Sequence, residues 1–246
     1  MLILLTAMVL VFSVLYFIVT ARKGFAWQNT LLIPEEAAGG TRYSGTVDGE
    51  TVSFFVKADR TVEYCCGDKV YGPYVLKEDP TAVPESLKQN LSIRGIELYS
   101  GEKPVFRGGM WKVSDSQIEL FHENGEPETG IRAASPDGVI TLQNGTVIDA
   151  KEPSAVTVIS LMEGPVLSTQ GSWMGWLAGT LLCVSTAFHV FFADDLFRWK
   201  MSWTARNAEG AEPSDWVIIV RAVSWAAVSL VAVIAYVMGL KTIPPV

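Results

Sequence analysis

Few residues in this chain have the types that carry chemistry, and their surroundings limit what each can do. The two histidines, His122 and His189, are the natural proton carriers. His122 closes the segment Gln117-Ile-Glu-Leu-Phe-His122 just ahead of Asn124-Gly125, so it reads as a surface residue at a strand end. His189 stands among Phe188, Phe191 and Phe192 and reads as a packed polar residue. Of the three cysteines, Cys65 and Cys66 are adjacent, a pairing that rarely bridges, and Cys183 lies in an apolar run. No disulfide framework is expected, and Cys65, Cys66 and His122 lack the C-x₂-C spacing of a zinc site. Glu126 and Glu128 alternate along a polar turn and read as solvated. No G-x-S-x-G, P-loop or H-E-x-x-H segment occurs. The chain is therefore expected to be non-enzymatic, without cofactor or metal.

The residues that do stand out sit in long apolar runs. Leu2–Thr20, Trp173–Ala193 and Trp216–Leu240 each match the roughly 18 to 20 apolar residues that cross a bilayer core of about 30 Å as a helix. In the second run Gly171, Gly175, Gly179, Cys183 and Ala187 fall at four-residue steps, forming a ridge of small residues on one helix face. Ala222, Ala226 and Ser229 make a weaker stripe in the third. Such ridges serve either packing of the two helices on each other or docking of a second copy or a partner subunit.

The third run has a marked start, with Pro213 and Ser214 ahead of Asp215, where a helix N-terminus favours negative charge. Arg221 follows about two turns in. An intramembrane Arg costs roughly 2.5–3.5 kcal/mol at the bilayer centre and less at an interface, so it either snorkels or pairs, with an ion or proton path a further reading. Asp194 and Asp195, at the loop end of the second run, are the expected partners, with His189 one to two turns deeper: a polar clamp.

The segments Phe197-Arg-Trp-Lys-Met-Ser-Trp203 and Asn207-Ala-Glu-Gly-Ala-Glu-Pro-Ser-Asp215, followed by Arg221, resemble a family of small bacterial membrane proteins of unknown function. The resemblance covers about residues 172–240. It implies two helices around an aromatic and basic loop and a bacterial source, and no activity.

Charge divides the chain. Between Glu35 and Glu163 there are 12 Lys and Arg against 21 Asp and Glu, a net charge near −9. That surface argues against nucleic acid and against docking of this region on anionic head groups. Residues 1–21 read as an uncleaved transmembrane anchor, since no charged n-region or A-x-A-like site marks a signal peptide. Residues 22–40 read as an interfacial segment and linker, with Phe25 and Trp27 suited to the membrane surface. Residues 41–163 read as a β-rich soluble domain, 164–171 as a linker and 172–240 as a transmembrane hairpin.

Within the soluble domain, strands are expected at Thr41–Val47, Thr51–Lys57, Thr61–Cys65, Lys69–Leu76, Ile96–Tyr99, Val105–Val113, Gln117–His122, Gly130–Ala133, Gly138–Leu142, Thr146–Asp149 and Ala155–Leu161, with a short helix at Pro84–Leu91. Asp48-Gly49 is a strong hairpin signal, and Asn144-Gly145 a second. The fold class is an α+β membrane protein: three transmembrane helices plus an antiparallel meander, closed as a barrel or stacked as a sandwich. A ligand cavity within it would be lined by Tyr71, Tyr74, Phe106 and Trp111.

Lys and Arg near span ends tie, with Arg198, Lys200 and Arg206 in the hairpin loop against Arg22, Lys23 and Lys241 on the domain's side. Long acidic domains translocate regardless of charge, so an extracytoplasmic domain is expected. The function these features suggest is a membrane-anchored binding or interaction module. The alternative is an accessory subunit assembling through its helices. The partners would be the lipid bilayer and a protein partner or second copy, with no nucleic acid.

Overall fold

A computed structural model describes residues 1–90, 92–114, 117–128, 139–141, 147–149, 151–203 and 213–243. The chain divides into a sheet unit, Lys23–Ser168, and a helical unit made of Met1–Arg22 and the C-terminal part from Thr169. The fold is α+β.

The sheet unit is built on nine antiparallel strands, each hydrogen-bonded to the next in sequence: β1 (Lys23–Trp27), β2 (Thr30–Ala37), β3 (Gly40–Val47), β4 (Glu50–Lys57), β5 (Val62–Cys66), β6 (Lys69–Glu78), β7 (Ile93–Ser100), β8 (Lys103–Lys112) and β9 (Ile118–His122). A separate two-stranded ladder joins β10 (Val139–Thr141) to β11 (Val147–Asp149). Ser168–Thr169, β12, lies beside β1 and completes a ten-stranded sheet. The β3–β4 turn is the one Asp48-Gly49 signals: φ is +50° at Asp48 and +84° at Gly49, the two left-handed residues of a type I′ hairpin.

Two expectations fail at the domain's N-terminal border. Residues 22–40 are not a linker, because β1 and β2 occupy them, joined by a turn in which Gln28 and Asn29 both have positive φ. Trp27 is not an interfacial anchor but packs edge-on against Phe54 and Tyr64, with centroids 5.1 and 5.4 Å away. The 164–171 linker also carries β12. In place of one helix at Pro84–Leu91 there are two short 3₁₀ turns, Pro80–Ala82 and Glu85–Leu87. The expected strand Gly130–Ala133 and the turn Asn144-Gly145 lie outside the described residues.

The largest correction concerns Ala155–Leu161, which is a helix, α2 (Ala155–Met162), and not a strand. Its β-branched residues suggest a strand, but the buried positions Ala155, Val158, Ile159 and Met162 recur with the helical period. Ser154 caps it, accepting a hydrogen bond from the Thr157 N–H. α2 packs against both β5 and β9. In a flat sheet four strand spacings put those strands roughly 19 Å apart, more than a helix about 10–12 Å across can bridge. The sheet is therefore curled around α2, helped by register irregularities at Val62/Tyr64 and Leu98/Tyr99 that sharpen its twist.

The helical unit holds α1 (Leu2–Thr20), α3 (Trp173–Phe191), α4 (Ala193–Ser202) and α5 (Asp215–Lys241). Among the described residues α1, α3 and α5 are the three helices long and apolar enough to cross a membrane. The start of the charged segment between the second and third runs is not loop but α4, which begins where α3 ends at Phe192.

Candidate functional site

Among the described residues the inside of the curled sheet is packed with side chains. Val158, Ile159 and Leu161 of α2 are buried against Val62, Tyr64, Tyr74, Ile96, Leu98, Phe106 and Leu120. Of the residues expected to line a cavity, Tyr74 and Phe106 belong to this core, and Tyr71 stacks on Tyr64 at 5.6 Å. Trp111 is half-buried near the far end of β8, opposite Ile93. The structure does not gather these four around an internal cavity, because α2 takes the space.

A polar belt holds the chain entering α2 to the strand ends. Lys151 donates to both Glu50 oxygens at 2.5 and 2.7 Å, and the buried Cys66 thiol donates to Glu50 Oε2 at 3.1 Å. Asp149 accepts from Lys69 at 2.7 Å and from Tyr71 at 2.8 Å, while Tyr74 donates to Glu152 at 3.1 Å. The hydrogen bond from Lys69, aided by the Lys151 N–H and Tyr71, holds the Asp149 carboxyl down at about 2. Burial, then the bond to Glu50, pushes the Cys66 thiol up. A raised, buried thiol is a poor nucleophile, so this belt is a structural lock.

The opposite end of α2 opens onto a cleft of about 150 Å³ lined by Thr61, Val75, Ile96, Met110 and Met162. Glu163, the C-cap of α2, is reached by Arg94 at 3.2 Å and Arg60 at 3.8 Å across it. It is a small recess with apolar walls and a charged rim, suited to an inserted side chain rather than a cofactor. Elsewhere on the sheet Arg107 gathers Asp79 (2.8 Å), Glu97 (2.6 Å) and Glu123 and fixes the Pro80–Ala82 turn. Hydrogen bonds from Thr81, then Arg107, hold Asp79 at about 2.

In the helical unit the small-residue ridge of α3 packs on α5 through Gly175, Gly179 and Cys183. Gly175 meets Gly239 of α5, where a Cβ would fall 2.5 Å from the Gly239 Cα. Gly179 faces the Tyr236 ring, with a Cβ 2.8 Å from it. Gly171 lies before the helix with φ +93°. Ala222 and Ala226 are exposed, and the α5 surface in the bundle is made instead by Ser229, Ala232, Tyr236 and Gly239. Tyr16 of α1 donates to the Tyr236 carbonyl at 2.9 Å, Tyr236 and Thr180 hydroxyls bond at 2.9 Å, and Trp176 donates to Ser13 at 3.0 Å. Sequence reasoning missed this network, since a Tyr or Trp in an apolar run carries no sign of its hydrogen-bond partner. Gly239 follows Ala235 by four residues and Ala232 by seven, a small-residue spacing that could have pointed to this face of α5.

The polar clamp forms only in part. Arg221 reaches Asp194 at 3.4 Å and stacks over Phe197, with its guanidinium carbon 5.1 Å from the ring centroid. Asp195 stays exposed, and His189 Nδ1 turns to the Ser185 carbonyl at 2.8 Å. Arg221 and Arg198 border a cavity of about 600 Å³ between α4 and the first turns of α5.

No family model matches the chain, and neither a curated protein nor a solved structure is found to match it, so the resemblance of residues 172–240 to small bacterial membrane proteins rests on those residues alone.

Proposed function

We propose that this is an integral membrane protein in which α1, α3 and α5 anchor the sheet unit outside the cytoplasm, as a non-enzymatic interaction module. The membrane reading draws on the helix surfaces: Ile3, Phe17, Met174, Phe191 and Trp216 are each at least 71% exposed, and contiguous apolar surface of this kind calls for an apolar medium. The observation that carries the functional reading is the filled sheet. Among the described residues α2 fills the inside of the sheet with side chains, which favours recognition at the outer surface. The glycine ridge, which the accessory-subunit reading would use, is occupied by α5, so assembly through it would have to displace a helix of the same chain.

The contact surface we assign is the cleft at the end of α2, which offers a hydrophobic recess between Arg60 and Arg94. A photo-reactive amino acid at Val75, exposed on its wall, tests this in cells. A single saturable adduct at Val75, absent when the probe stands at exposed Val105 on β8, is expected. Equal, unsaturable labelling at both positions would sink the assignment.

A further inference from the structure

We infer that the cavity between α4 and α5 is a binding site for the phosphodiester head group of an anionic phospholipid. The inference rests on the membrane reading above and goes beyond it. Depth is the first argument. From Arg221 to Lys241 is 20 residues of one continuous helix, about 30 Å at 1.5 Å per residue, which is the thickness of the hydrocarbon core. With Lys241 at one boundary, Arg221 falls at the other, the level of lipid phosphates.

Composition is the second argument. α4 has no buried residue, and the exposed Trp199 and Trp203 stand one turn apart on one side, the pattern of a helix lying in the interface. Phe197 and Arg198 line the cavity together with Arg221, while Trp225, one turn deeper than Arg221, supplies an apolar wall suited to the start of an acyl chain. The charge balance is the third. Among the described residues two arginines line the cavity with one carboxylate, Asp194, which is 77% exposed and 3.4 Å from Arg221. A guanidinium has five N–H donors, and a single long contact leaves most of that fork for a phosphate. The cavity, about 600 Å³, has the size of a small-molecule site.

The test uses the full chain, purified in mild detergent and exposed to mixed micelles of equimolar phosphatidylcholine and phosphatidylglycerol. Bound lipid is counted by native mass spectrometry. The wild-type chain should retain phosphatidylglycerol over phosphatidylcholine by on the order of 30-fold, from two cations each contributing at the membrane surface. R198Q/R221Q should bring the ratio to parity, whereas R22Q/K23Q, which removes the same charge after α1, should leave it intact. A222W, which fills the cavity from an exposed position and keeps both arginines, should also abolish the preference. Adding inorganic phosphate should not displace the lipid; displacement would show that the site takes free phosphate and overturn the lipid assignment. An unchanged ratio in R198Q/R221Q or A222W overturns the site itself. Release of the wild-type chain from membranes by alkaline carbonate would instead overturn the membrane reading, a result read independently of lipid retention.

Discussion

Single side chains in this protein act mainly by fixing backbone to backbone. Asp149 ties the approach to α2 to β6 through Lys69 and Tyr71, and its carboxyl is held at about 2 against an ordinary value near 3.9. A depressed carboxyl stabilises the fold fully above its unfolded value and loses that contribution as pH falls through its folded value. Stability should therefore drop between about pH 4 and pH 2. The Asp149→Asn variant should melt below wild type at neutral pH, and the gap should close as pH approaches 2; thermal unfolding followed by near-UV circular dichroism checks this. A gap that stays constant with pH would mean the carboxylate charge contributes nothing. Gly239 acts by having no side chain: a Cβ there would lie 2.1 Å from the Tyr16 hydroxyl and 2.7 Å from the Gly175 Cα. Gly239→Ala should cost about 1–3 kcal/mol through overpacking, seen as a lower melting temperature of the full chain in detergent. Ala226→Leu, at an exposed position, should leave that temperature unchanged.

At the level of elements α2 decides what the sheet unit is. Ile159 is wholly buried among strand side chains, so Ile159→Ala should destabilise by about 2–5 kcal/mol and open the sheet to an environment-sensitive dye. Loss of the Ser154 cap by substitution to Ala should cost about 1 kcal/mol. If both variants melt like wild type, α2 does not hold the sheet. Local chemistry made much of the meander legible: Asp48-Gly49 specifies a type I′ turn, and alternation as in Val62, Tyr64 and Cys66 marks a strand with one buried face. α2 was not legible as a helix because Val156, Thr157, Val158 and Ile159 favour strands on their own. What fixes the helix is the enclosing sheet, which rewards burial on several sides. β1 and β2 escaped notice for a related reason, since Gln28-Asn29 is a weak turn signal and Pro34-Glu-Glu36 looks like linker until Glu35 is seen paired with Arg42 of β3. Of the clamp, the Arg221–Asp194 contact was legible from charge alone, whereas the cavity beside it depends on α4, which composition presents as loop.

The whole molecule, in our account, is a self-filled sheet unit carried by three spans, displayed on the extracytoplasmic side. The thiols give a direct way to test that. Cys65 is partly exposed on β5, Cys66 is buried with its proton directed at Glu50, and Cys183 is buried against Tyr236 in α3. Only Cys65 should react quickly. The measurement to make is labelling of intact cells with a membrane-impermeant maleimide, mapped by peptide mass, with permeabilised cells and a Cys65→Ser variant as controls. The account predicts label on Cys65 without permeabilisation, lost in Cys65→Ser, on protein that stays with carbonate-washed membranes. Label on Cys65 only after permeabilisation, or a chain released by carbonate, would contradict it.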